Sequence, residues 1–242
     1  MKFIEFLNES RPQPAYRQFI DEETAKKLVL ENCSASFKSN FLIYRGLPSY
    51  RNETGYILID TTKTYRKSAN TSNQYNVMLN YYLNTNNLPS RDKSMICSTD
   101  EERADNFGDV HVIIPFGDPL ICSTGKEDLW DITFKGNDGN LYDYPHVNEL
   151  LNDAEIYGDK TFFDIRKQIK LAINDGNEDL KNVFGSVEEV DSEIERIYNV
   201  DFYNDLYSKF KAKSKNEEIW FTGKAIAVNL EKYKAFINEV KK

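Results

Sequence analysis

With 242 residues, 40% of them hydrophobic and 29% charged, the chain can bury a substantial core and has the composition of an ordinary soluble globular protein. A net charge of −8 and a pI near 5.0 argue against a constitutive polynucleotide partner, which needs a concentrated basic face, and no apolar run approaches the ~20 residues of a membrane span. Three cysteines without CxxC spacing fit a reduced compartment, and His111 and His146 stand far apart with no cysteine nearby, so composition gives a metal site no support.

In chain order, residues 1–9 place Phe3, Ile4 and Leu7 on one helical face, followed by a turn-prone stretch with Pro12 and Pro14. Residues 21–36 read as an amphipathic helix with Ala25, Leu28, Val29 and Cys33 on its buried side. Residues 41–46 form an apolar strand that ends in Arg45-Gly46. A guanidinium at the end of a buried strand needs an anion to offset its desolvation, and for an isolated case a structural ion pair is the plainer reading. Residues 47–89 turn polar around a strand at 56–59, with a donor-rich segment at 66–73 and a helix at 74–82 that buries Val77, Met78 and Tyr81.

Residues 95–97 are a short buried strand that Ser98-Thr99 ends. Ser98 and Thr99 each have a glutamate three places on, Glu101 and Glu102, which is capping-box spacing for a helical turn at 100–103. After Ala104, Phe107 and Gly108 comes a β-branched strand at 110–116, then a strand at 120–122 and a hairpin-type turn at 136–140. From 147 to 212 helical periodicity dominates, with helices expected at 147–157, 162–173, 187–198 and 202–210. Sheet character returns at 218–221 and 225–228 around Gly223, and a helix at 230–240 closes the chain.

Arg45, Ser98-Thr99 and Glu218 thus each stand at the edge of an apolar strand. In this order they resemble the Arg-Ser-Glu class of ADP-ribosyltransferases. Tyr44-Arg45-Gly46 matches its aromatic-Arg-Gly element, and Cys97-Ser98-Thr99-Asp100 stands at the Ser-Thr-Ser motif. Ala104 and Phe107-Gly108 precede the next strand as in the family, and Glu218 before Ile219-Trp220-Phe221 matches the catalytic glutamate. The chain looks closest to phage-encoded members, because residues 66–73 and 91–94 resemble their additional polar motifs. The resemblance covers residues 41–228, the helical block least. Residues 1–9 resemble the capsid-targeting leader of tailed-phage internal head proteins, which is removed after a Leu/Ile-x-Glu site; Leu7-Asn8-Glu9 matches it. A surface helix docked on the domain explains the same residues.

The resemblance implies an α+β fold: a split, strongly bent antiparallel-rich sheet pair around an NAD cleft, with N-terminal helices and a helical insertion at 147–212 in one domain spanning 10–242. It implies a mono-ADP-ribosyltransferase that takes NAD as substrate, needs no metal, and modifies a host macromolecule, with a host protein as the expected target, in the host cytoplasm, with the phage head as a partner if the chain is packaged. Glu218 would be the catalytic carboxylate facing an oxocarbenium-like transition state, and Ser98 would fix its rotamer. Arg45 would hold NAD through its donor fork, with Gly46, Thr99 and Phe107 lining the cofactor and Asn216 in the acceptor loop. The chain departs from the family pattern at two positions. Asp100 replaces the third motif Ser, and Asn216 stands where the family has Glu or Gln. NAD hydrolysis without transfer, or an inactive packaged structural or inhibitory binding protein, are the alternatives those departures favour. Glu217 falls on the opposite strand face, so its substitution is expected to matter little.

Overall fold

A computed structural model describes residues 17–39, 41–48, 54–63, 73–127, 133–135, 141–156, 160–198 and 202–242. The leader-like residues 1–9, the donor-rich residues 66–72 and the turn at 136–140 lie outside the described residues.

The chain enters with strand β1 (Arg17–Phe19) and helix α1 (Glu22–Asn32). Asp21 caps α1 by accepting the Thr24 N–H at 2.8 Å, and two glutamates in the first turn complement the helix dipole. Strands β2 (Tyr44–Leu47) and β3 (Tyr56–Asp60), helix α2 (Asn73–Thr85), strand β4 (Met95–Ser98), helix α3 (Glu101–Asp105), strands β5 (Asp109–Pro115) and β6 (Leu120–Ser123) follow. A separate ribbon, β7 (Thr133–Lys135) with β8 (Leu141–Asp143), flanks the expected turn. Helices α4 (Tyr144–Asp153), α5 (Phe162–Asn174), α6 (Glu178–Phe184) and α7 (Val190–Ile197) form a block. Strands β9 (Tyr203–Leu206), β10 (Glu218–Phe221) and β11 (Lys224–Asn229) and helix α8 (Leu230–Val240) complete the chain.

Nine strands make one open sheet in the order β1-β3-β11-β5-β2-β4-β10-β6-β9, and every pairing is antiparallel, so the protein is mixed α/β. The ladder is not uniform. β4 pairs with β10 at four positions and β2 with β5 at four, whereas β2 meets β4 only through Tyr44 opposite Ser98. Three cores pack on the sheet. Helices α1 and α8 cover Tyr56, Ile114, Ile226 and Val228; helices α2 and α4–α7 cover Ile96, Cys122 and Trp220; Ile43, Cys97, Ile113, Ile219 and Phe221 share the third core with Tyr207 and Phe210. Each fully buried side chain of this size contributes roughly 1.5–3 kcal/mol, so the sheet is anchored on both sides of the junction. No described helix is long and apolar enough to cross a membrane.

Tyr81, expected on the buried side of α2, is 39% exposed, and two expectations of secondary structure need correction. The helix expected at 202–210 is instead the edge strand β9 followed by a turn. Phe202, Tyr203, Leu206, Tyr207 and Phe210 have helical spacing, but Tyr203 stacks on Phe210 at 5.4 Å across the turn, and Tyr207 and Phe210 are buried from there. The block is therefore helical only as far as Ile197. It also contains α6, which was not expected; Asn177 caps it, and Leu180, Val183 and Phe184 fill the core.

Gly46 shows how closely β2 and α3 approach. A Cβ there would lie 2.1 Å from the Ala104 carbonyl oxygen and 2.8 Å from the Phe107 carbonyl carbon, both backbone atoms with nowhere to go. Gly46→Ala should therefore cost about 3 kcal/mol or more, the upper range of overpacking, read as a fall in melting temperature. A variant that melts with the parent would show that α3 can move off β2.

Candidate active site

The register of β4 and β10 sets Glu218 directly opposite Ser98, so both side chains leave the same face of the sheet. Trp220 and Ile96 lie two residues along on that face, and Tyr44 joins Ser98 from the other side of the junction. The sequence-predicted Ser98 and Glu218 are thus brought together.

Arg91 joins them, a residue the sequence reading did not place in the site. It sits on a single 3-10 turn, Arg91–Lys93, just ahead of β4. Its Nη2 lies 2.7 Å from Glu218 Oε1, and both side chains are only 13% exposed. The guanidinium carbon stands 5.8 Å from the Trp220 ring centroid, within cation–π range. The turn itself is fastened. Arg91 N–H donates to Asn80 Oδ1 on α2 at 2.8 Å, Trp220 Nε1–H to the Pro89 carbonyl at 2.8 Å, and Ser94 Oγ lies 3.1 Å from Thr222 Oγ1.

Arg45 lies on β2 at the junction. Strand alternation puts it on the face opposite Tyr44, paired across β5 with His111. Its Nη1 donates to the Ile96 carbonyl on β4 at 2.6 Å, the acceptor a continued β2–β4 ladder would have given to backbone. The arginine therefore bridges the place where the sheet opens. His111 is fully buried, its Nδ1 2.8 Å from the Asp109 carbonyl, and burial pushes its pKa down, which favours the neutral ring beside Arg45.

The Ser-Thr-Asp sequence divides its local work. Asp100, not Ser98 or Thr99, caps α3 by accepting the Glu102 N–H at 2.8 Å, which gives the departure from the family pattern a local reason. Ser98 Oγ accepts the Asp100 N–H at 3.0 Å. Thr99 Oγ1 donates to the Lys215 carbonyl at 2.6 Å and accepts the Glu217 N–H at 2.9 Å, which ties the motif to the loop ahead of β10. Asn216 stands exposed in that loop. Phe107 is 55% exposed just past the end of α3, with Arg103 5.6 Å from its ring.

Glu217 is part of the core rather than a solvated neighbour of the site. It faces away from Glu218, but that side is core, and its side chain is fully buried. Tyr203 OH donates to Oε1, and the N–H groups of Lys213 and Ser214 donate to Oε2 at 2.8 and 3.3 Å. The carboxylate pins the loop to the sheet.

A cleft of ≈ 470 Å³ opens elsewhere, between α2, α5 and α7, with Tyr81 stacked on Phe162 at 3.7 Å and Arg166 and Arg196 on its wall. None of the motif residues lines it. Comparison with family models, curated proteins and solved structures gives no match.

Proposed function

We propose that the protein is a mono-ADP-ribosyltransferase that moves ADP-ribose from NAD to a protein, on an ADP-ribosyltransferase-like sheet that splits and bends at the β2–β4 junction. The observation that carries this reading is the register pair Ser98–Glu218, set beside the opening that Arg45 bridges. Ser98 and Glu218 share one face of the sheet there, whereas the Arg45 side chain leaves the opposite face and reaches the junction through its bond to the Ile96 carbonyl. NAD would lie over this junction. The bond from ribose C1′ to nicotinamide breaks with its electron pair going to the ring nitrogen, which neutralises the pyridinium. The positive charge that develops on the ribose faces Glu218, whose carboxylate also accepts from the 2′-hydroxyl. An acceptor nucleophile then bonds to C1′ and loses its proton, and Asn216, in the loop beside Glu218, borders the acceptor.

The chain would act in a host cytoplasm after carriage in a phage head, with residues 1–9 as the removable leader. The Arg91–Glu218 ion pair supports one other reading, since it accounts for Glu218 without chemistry and suits a packaged binding protein. Incubation with labelled NAD and host lysate separates the outcomes: label on protein supports transfer, free ADP-ribose supports hydrolysis, and silence supports the binding protein.

Arg45→Lys tests the NAD contact. Lysine keeps the charge but not the planar donor fork, so KM for NAD should rise about tenfold, a loss of roughly 1.4 kcal/mol. The protein should stay folded. An unfolded variant with unchanged activity per folded molecule would make Arg45 a structural bridge only.

A further inference from the structure

We infer that Arg91 is a positioning residue for Glu218, fixing the rotamer of its carboxylate in a site where it is largely out of water; this rests on the transferase reading of the site. A carboxylate stabilises an oxocarbenium-like ribose only from the place where the charge develops, so its rotamer decides the rate. The 2.7 Å contact from Arg91 Nη2 to Oε1 holds one of its oxygens in place.

Two features distinguish the contact from an incidental ion pair. The first is its frame. Arg91 is 127 residues from Glu218 in sequence, yet its turn is bound to the neighbourhood of that one carboxylate from several sides. Pro89 is bonded to Trp220, Ser94 lies against Thr222, and Asn80 holds the Arg91 backbone from α2. Trp220 and Thr222 lie on β10 and just past its end, two and four residues after Glu218, so the turn and the carboxylate move as one body. The second is the guanidinium's own geometry. An arginine placed for stability at this depth gains most from a two-bond fork to the carboxylate. Here one nitrogen makes the contact, while Nε is buried with no hydrogen-bond partner among the described residues. An unsatisfied buried donor is destabilising, and a cost retained at a site is the mark of a geometry set by function.

The test is nicotinamide release from NAD by the full chain carrying Arg91→Gln, Arg91→Lys, Glu218→Gln, or Arg91→Gln with Glu218→Gln, each at equal folded concentration by thermal melt. Arg91→Gln should lower kcat on the order of a hundredfold with KM for NAD little changed, because a misplaced carboxylate loses transition-state contact rather than binding. Arg91→Lys, which keeps a cation and replaces Gln if that variant does not fold, should recover part of the rate. In the Glu218→Gln background, Arg91→Gln should cost nothing further, because its effect runs through the carboxylate. An active parent whose Arg91→Gln and Arg91→Lys variants turn over at its rate, or an additive loss in the double variant, overturns the positioning role and leaves the transferase reading standing. A silent parent overturns both.

Discussion

Glu218→Gln should reduce nicotinamide release about 100- to 1000-fold or more, the scale on which loss of one preorganised electrostatic contact to a transition state is felt. Glutamine has nearly the same shape and still offers Arg91 an acceptor, so the turn at Arg91–Lys93 stays in place. What is lost is the negative charge that faces the developing ribose cation. Stability should move in the opposite sense from the usual gain on removing an active-site charge. The ion pair is only 13% exposed on either side, and taking away its anion leaves Arg91 as a largely buried cation, so the melting temperature should fall by a few degrees. The measurement is release rate and thermal melt on the same preparations. An active parent and an equally active Glu218→Gln variant would remove Glu218 from the chemistry.

The sheet around this residue was legible because its signals are local. Glu218–Phe221 is a polar residue followed by three apolar ones between turn-prone stretches, and Leu230–Val240 has an apolar face behind an Asn229 cap; the structure places both at those bounds. Residues 202–210 were not, because the same apolar spacing serves a helix or a strand that turns back on itself, and only the pairing of β9 with β6 decides between them. Capping signals were ambiguous for a related reason. Ser98, Thr99 and Asp100 are three possible caps in a row, and the choice fell to Asp100 because Ser98 ends a strand and Thr99 is taken by a loop more than 110 residues away.

The site shows the same division. Strand-edge Arg45, Ser98 and Glu218 could be named because each sits against an apolar run, and β-sheet alternation correctly separates Glu218 from Glu217. Alternation says nothing of what lies on the other face. A charged residue in sequence is most often solvated, so the burial of Glu217 had no sequence signal beyond residue type, and the motif resemblance of residues 91–94 did not say that Arg91 would approach Glu218. Both depend on segments that meet only when the sheet closes.

Glu217 should therefore be the more costly glutamate for folding, as Glu218 is for chemistry. Glu217→Gln replaces one acceptor oxygen by an NH₂ group, which can turn toward Tyr203 and donate to its hydroxyl while the remaining oxygen keeps the Lys213 and Ser214 N–H groups, so a cost of only about 1 kcal/mol is expected. Glu217→Leu removes both oxygens and takes this acceptor from all three donors. Each unpaired buried donor costs about 1–3 kcal/mol, so a total of about 3 kcal/mol or more and a fall in melting temperature of about 6–12 °C are expected for a chain of this size. Tyr203→Phe should cost only about 1 kcal/mol, because one hydroxyl is lost and the two backbone donors keep their acceptor. Turnover per folded molecule should fall less in all three than in Glu218→Gln, since the loop shifts through Thr99 and Asn216 while the catalytic carboxylate remains. Glu217→Leu melting within a degree of the parent would mean that the loop does not need this clamp, and that the burial of Glu217 is not what holds the acceptor side of the site in place.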